Sequence, residues 1–202
     1  MARLSEVERR ESLLAHGAVL FAQQPVDSLP MAKIAAGAGC SKGLLYHYFG
    51  SRRGYYVAVL ETVASKLIEE MRPEDDVSFD EAFEGSVRRF LRFARSHPSE
   101  FRLLVRAGLG VDAEAEAVLS RVRNAAGAFV LAQLRATPST YLRIALGGWI
   151  SFAESAALAW VDSLQREGSV DDDAMLQLLV DALQPVRRAA TTAAVTTKEL
   201  GR

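Results

Sequence analysis

The stretch Ile34-Ala35-Ala36-Gly37-Ala38-Gly39-Cys40-Ser41-Lys42-Gly43-Leu44-Leu45-Tyr46-His47-Tyr48-Phe49-Gly50-Ser51-Arg52 decides the fold. Pro30 has a fixed φ suited to the first turn of a helix, and Met31, Ile34 and Ala35 then recur at helical spacing as one apolar face. That short helix stops at Gly37-Ala38-Gly39-Cys40, where Gly39 can adopt the positive φ of a tight turn without steric cost. Ser41 is placed to accept from the free N–H groups of a new helix running to about Phe49. Two short helices joined by a glycine turn, the second opening with small and polar residues, have the geometry of a pair that delivers one helix into a groove.

Working outward, Val7, Leu14, Ala18 and Phe21 mark an amphipathic helix over about Ser5–Gln23, ended by Gln24-Pro25. Beyond Gly50-Ser51, the residues Val57, Leu60, Val63, Ala64, Leu67 and Ile68 predict a fourth helix over 52–71. Pro73 to Ser78 is an acidic break. Helices then follow at about 79–96, 98–107, 112–136, 139–166 and 170–183, with Gly, Pro and Ser between them. No alternating β-branched run competes, so the expected class is all-α with about nine helices. A front module over 1–53, joined by the helix 52–71, precedes a larger body over 54–188, and the Ala- and Thr-rich stretch 189–202 reads as a disordered tail.

Composition narrows the function. The chain has 202 residues, half of them hydrophobic, and a net charge of −1, which suits a globular domain rather than a disordered chain. Residues 1–53 carry seven basic and four acidic side chains, net +3, whereas the rest is net −4. A basic front on an acidic body fits one end meeting a polyanion. Cys40 is the single cysteine, so no intrachain disulfide forms; it reads as a small packed residue of the turn. The opening Met1-Ala2-Arg3-Leu4-Ser5 runs into charged residues without an apolar stretch, so a cytoplasmic protein is expected. No carboxylate pair, nucleophile–base set, phosphate loop or metal-ligand spacing stands out, which argues against an enzyme and against a cofactor or metal.

The stretch 34–52 resembles the signature of the TetR family of transcriptional regulators. That signature has an Ile-Ala pair, then Ala-Gly-apolar-Ser, a Gly, Leu-Tyr, an aromatic or His, Phe, and a basic residue three positions further on. The resemblance implies a three-helix helix-turn-helix domain that binds a double-stranded DNA operator. Lys33, Ser41, Lys42, Gly43, Leu44, Tyr46, His47, Tyr48 and Arg52 are then the candidate DNA contacts, with Lys42 for guanine or phosphate and Arg52 as a phosphate clamp. Pro30 and Leu44 stand where the family often has threonine, removing two hydroxyls and suggesting more apolar readout, or a helical dimer that has lost DNA binding.

The segment 144–161 holds one charge, Glu154, and is long enough to raise the question of a membrane span. A carboxylate near its middle would cost about 2.5–3.5 kcal/mol on insertion, so no membrane is expected. A helix apolar nearly all round is instead buried on two sides, one within the subunit and one against a symmetry mate. In the family the last two major helices pair as a homodimer, which assigns Ile150, Ala153, Ala157, Trp160, Leu176, Leu179, Val180 and Leu183 to the dimer interface. The family also holds an apolar small-molecule effector between its middle helices. Phe90, Phe93, Phe101, Leu104, Phe129, Trp149 and Phe152 are candidate walls, and Arg123 and Glu154 candidate polar contacts. Spacing alone does not separate wall from core, and Glu154 could equally pair with an arginine of the fifth helix. The expected function is a repressor of a palindromic operator, released by its effector, with an activator or a corepressor-dependent repressor as alternatives.

Overall fold

The computed structural model describes residues 5–107, 112–134, 139–164 and 171–190. Among these every regular element is helical. The elements are α1 (Glu6–Gln23), a 3-10 turn (Val26–Ser28), α2 (Met31–Gly37), α3 (Lys42–Phe49), α4 (Arg52–Glu70), α5 (Phe79–Ser96), α6 (Pro98–Ala107), α7 (Ala113–Leu134), α8 (Thr140–Leu164) and α9 (Asp172–Asp181). A further helical stretch covers 184–190.

Helix starts follow the capping residues. Ser5 and Glu8 form a reciprocal capping box at α1, and Ser78 with Glu81 does the same at α5. Oδ1 of Asp112 accepts from the N–H groups of Glu114 and Ala115 at 3.0 and 3.1 Å, and Ser139 and Asp171 cap α8 and α9. The Ser5 contacts hold the Glu8 carboxyl below its ordinary value, and those of Ser78 do the same for Glu81.

Packing divides the chain into two compact units. The first holds the described residues of 1–66 with those of 97–120, because α6 lies along α1; the second holds the described residues of 67–96 with those of 121–190. This differs from a cut at residue 53: α6 packs with α1, and its Phe101, Leu103 and Leu104 are buried, so a segment distant in sequence belongs to the front. In the second unit α5 packs on α8 and α9. The tail expectation also needs correction at its start, since Ala189 and Ala190 are helical and Ala189 is fully buried. Residues 191–202 lie outside the described residues.

In the first unit α1 and α4 approach closely at Gly17 of α1. Tyr55 of α4 is fully buried, donates its hydroxyl to the Leu13 carbonyl, and lies where a side chain at 17 would be. A Cβ there would stand 2.5 Å from the Tyr55 Oη and 2.7 Å from Val59 Cγ2. Burial pushes the Tyr55 phenol pKa far up, so the hydroxyl stays a donor. Helix propensity alone would make Gly17→Ala stabilising by about 1 kcal/mol. Overpacking costs about 1–3 kcal/mol, and the buried, hydrogen-bonded Tyr55 cannot swing aside. Gly17→Ala is therefore expected to lower the thermal unfolding midpoint, and an unchanged or raised midpoint would show that α1 and α4 separate freely.

Candidate nucleic-acid interface and apolar cavity

The turn before α3 is built as the residues require. Gly39 has φ of 63°, and the Cys40 N–H returns to the Ala35 carbonyl at 3.0 Å. Ser41 Oγ then accepts from the Leu44 N–H at 3.1 Å and caps α3. Burial pushes the half-buried Cys40 thiol up, which suits a packed residue rather than a reactive thiolate. At α2, Pro30 is the N-cap rather than a residue of the first turn, and it offers no side-chain acceptor. Its carbonyl still takes the Lys33 and Ile34 N–H groups, so the missing hydroxyl leaves the helix intact.

Within α3 one residue anchors and the rest display. Leu45 is fully buried, and Phe49 reaches the Tyr55 ring at 4.7 Å between centroids. Ser41, Lys42, Gly43, Tyr46 and His47 are exposed, while Leu44 and Tyr48 are half-buried. Lys33, on α2, is also exposed, its Nζ 3.4 Å from Gln24 Oε1. Lys42 sits over the Tyr46 ring at 5.6 Å, which holds the ammonium without neutralising it. The face is polar, partly aromatic and cationic, and nothing in it resembles an acid–base pair. Among the described residues no three metal-ligating side chains gather together.

Arg52 departs from expectation. Its Nη1 donates to the Asp27 carbonyl at 3.0 Å and its Nη2 to Asp27 Oδ1 at 2.8 Å, tying the start of α4 to the 3-10 turn. Arg53 is likewise held, by Asp112 at 2.8 Å and Glu114 at 3.5 Å. Asp112 also helps burial to raise the neighbouring Tyr56 phenol. Asp27 itself is almost wholly in solvent, and exposed pairs contribute only about 0–1 kcal/mol. A phosphate can therefore displace it. Asp27 carried no sequence signal, because the pair joins residues 25 apart across a turn.

In the second unit, a cavity, open at one side, is lined by α5, α7, α8, Leu179 of α9, and by Met71 and Pro73. Of the nine wall candidates, Phe90, Arg123, Phe129, Trp149 and Glu154 line it. Phe93 is instead sealed in the core, as are Phe101 and Leu104 of α6, which belong to the first unit; Phe152 is in solvent. Phe83, Val87, Val122, Ala126 and Val130 are walls that spacing had not distinguished from core. The Trp149 indole donates to the Leu179 carbonyl at 3.0 Å and its ring meets Phe83.

Glu154 pairs with α7, not α5. The Arg123 Nε–H is shared between both carboxylate oxygens at 3.1 Å, and Nη2 donates to Oε2 at 2.8 Å. That pair fixes the rotation of α8, and with it a correction. Ile150, Ala153, Ala157, Trp160, Leu176, Leu179 and Leu183 turn into their own unit, Ile150, Ala153 and Leu179 lining the cavity, and Val180 is half-buried. The large apolar residues left outside on these helices are Tyr141 at 63 %, Ile144 at 67 % and Phe152 at 41 % exposure on α8, with Leu178 at 49 % on α9. The helix α8 is long and apolar enough to cross a membrane by length and composition, yet it carries this buried ion pair.

Arg52→Ala tests whether the arginine leaves this turn for a phosphate. If Arg52 meets a phosphate in the complex, its loss is expected to flatten the salt dependence of DNA binding by about one unit of log–log slope. An unchanged slope would mean that Arg52 stays with the turn.

Residues 79–186 match the model described as the tetracyclin repressor-like C-terminal domain, and residues 13–59 that of bacterial regulatory proteins of the tetR family. A Streptomyces coelicolor tetR-family transcriptional regulator has a similar structure, with TM-score 0.75 and 27 % identity, covering 98 % of this chain and 87 % of that one. The transcriptional regulator FadR of Bacillus subtilis, solved with stearoyl-CoA, shares the fold at TM-score 0.70 and 14 % identity, over 85 % of this chain and 98 % of that one. The HTH-type transcriptional activator FasR of Mycolicibacterium smegmatis is 30 % identical over 104 residues, 50 % of this chain and 48 % of that protein. The chain thus matches about half the length of that curated relative. With a helix-turn-helix in front and a matched helical body over more than half its length, the chain belongs to the TetR family of DNA-binding transcriptional regulators.

Proposed function

We propose that this regulator is a homodimeric repressor that binds an operator of two-fold symmetry and leaves it when an apolar small molecule enters the cavity of the second unit. The observation that carries the reading is α3: Leu45 is anchored inside while Lys42, Gly43, Tyr46 and His47 face outward on a capped helix. One such helix touches too few base pairs for a useful specificity ratio, so two copies are needed. The exposed apolar residues Tyr141, Ile144, Phe152 and Leu178 support pairing through α8 and α9.

Chain continuity supports effector control. The helix α4 begins at Arg52, three residues after α3 ends, and the residues after its last turn, Met71 and Pro73, line the cavity. A ligand that binds better when those residues move shifts the dimer toward a state whose recognition helices no longer match the grooves. The stearoyl-CoA bound by the FadR structure and the apolar lining here both favour an effector with a long hydrocarbon part. An activator is the second reading, favoured by the activator FasR among the relatives.

DNA from upstream of the gene itself, titrated by fluorescence anisotropy at several salt concentrations, tests the proposal. Sequence-selective binding that weakens with salt is expected, and Lys42→Ala should flatten the log–log slope by about one unit. Absence of selective binding at any salt concentration would refute it.

A further inference from the structure

Resting on the cavity being the effector site, we infer that the Arg123–Glu154 pair selects an effector with an uncharged polar head and excludes carboxylates and amines. The cavity wall is apolar apart from Ser86, Gln133 and this pair, and Ser86 spends its hydroxyl on the Ala82 carbonyl at 2.9 Å. Both oxygens of Glu154 accept from Arg123, on a residue only 8 % exposed. The polar pole of the cavity is thus net neutral, and neither charge is spare.

A carboxylate head entering beside this pole would approach the guanidinium only at the cost of meeting the Glu154 carboxylate in a low-dielectric wall. An ammonium head meets the reverse problem at Arg123. An ester, alcohol, lactone or amide head brings no charge and needs only a dipole-sized accommodation, so the neutral amphiphile wins. The selection is made by Glu154: without its charge, the same guanidinium would become an anion site, as arginine ordinarily is.

Dodecanoate, its methyl ester and dodecylammonium share one chain and differ in head charge. Competition of each against a neutral naphthylamine dye, with Trp149 emission as a second readout, measures the ranking in the full-length protein near neutral pH. Wild type is expected to bind the ester at least about tenfold more tightly than either ion. Glu154→Gln should raise dodecanoate affinity by about tenfold or more while leaving the ester within about threefold. The double variant Arg123→Gln with Glu154→Gln should lose that gain. It keeps the test open if Glu154→Gln alone fails to fold, because it leaves no unpaired charge. Wild type binding dodecanoate as well as the ester, or a carboxylate gain that survives in the double variant, would overturn the selection while leaving the cavity reading in place. If no probe, the ester included, displaces the dye or moves Trp149 emission, the cavity reading falls and this inference with it.

Discussion

The contact on which the front of the molecule depends is Tyr55 against Gly17. One phenol of α4, fully buried, meets two other helices: it donates to the Leu13 carbonyl of α1, fills the space left there by the absent side chain at 17, and stacks obliquely on Phe49 at the end of α3. The start of α4 is thereby fixed against α1, and the recognition helix is fixed to both. Phe21 completes the cluster at 5.4 Å from the Tyr55 ring. Since α3 has a single fully buried side chain of its own, its orientation is borrowed from this cluster and from Leu45.

The polar side of α3 is then a consequence of anchoring rather than of charge. Among the described cations of the front, Arg52 and Arg53 are both engaged by carboxylates. On the proposed DNA-binding role, phosphate attraction rests on cations such as Lys33 and Lys42 and on the cap of α3 more than on these two arginines. In the second unit the same logic runs inward. The Arg123–Glu154 pair sets the rotation of α8, which decides both what lines the cavity and what remains outside.

Much of this was legible in the residues. Ser41, Gly39 and the apolar spacing around Leu45 specify the helix-turn-helix, because caps and glycine turns act over three or four residues. The starts of α1 and α5 followed for the same reason. What was not legible depended on rotation about long helices and on distant partners. A helix as apolar as α8 has no clear solvent face in its sequence, so Ile150, Ala153 and Trp160 read as interface when they are interior. Phe152, read as wall, is outside for the same reason. Its one charge held the answer, since Glu154 had to face a cation inside, but only the fold names Arg123. Phe101 and Leu104 read as cavity wall because α6 follows α5 in the chain, yet α6 packs with α1 and both are sealed in the first unit.

The central claim is that α3 reads base edges, twice, from a two-fold assembly. Selection of binding sites from a random duplex pool by the purified full-length protein tests it most directly. The account predicts enrichment of an inverted repeat whose half-sites lie about one helical turn apart or a multiple of it. A pool that stays random, or that yields a single unpaired half-site, would contradict it.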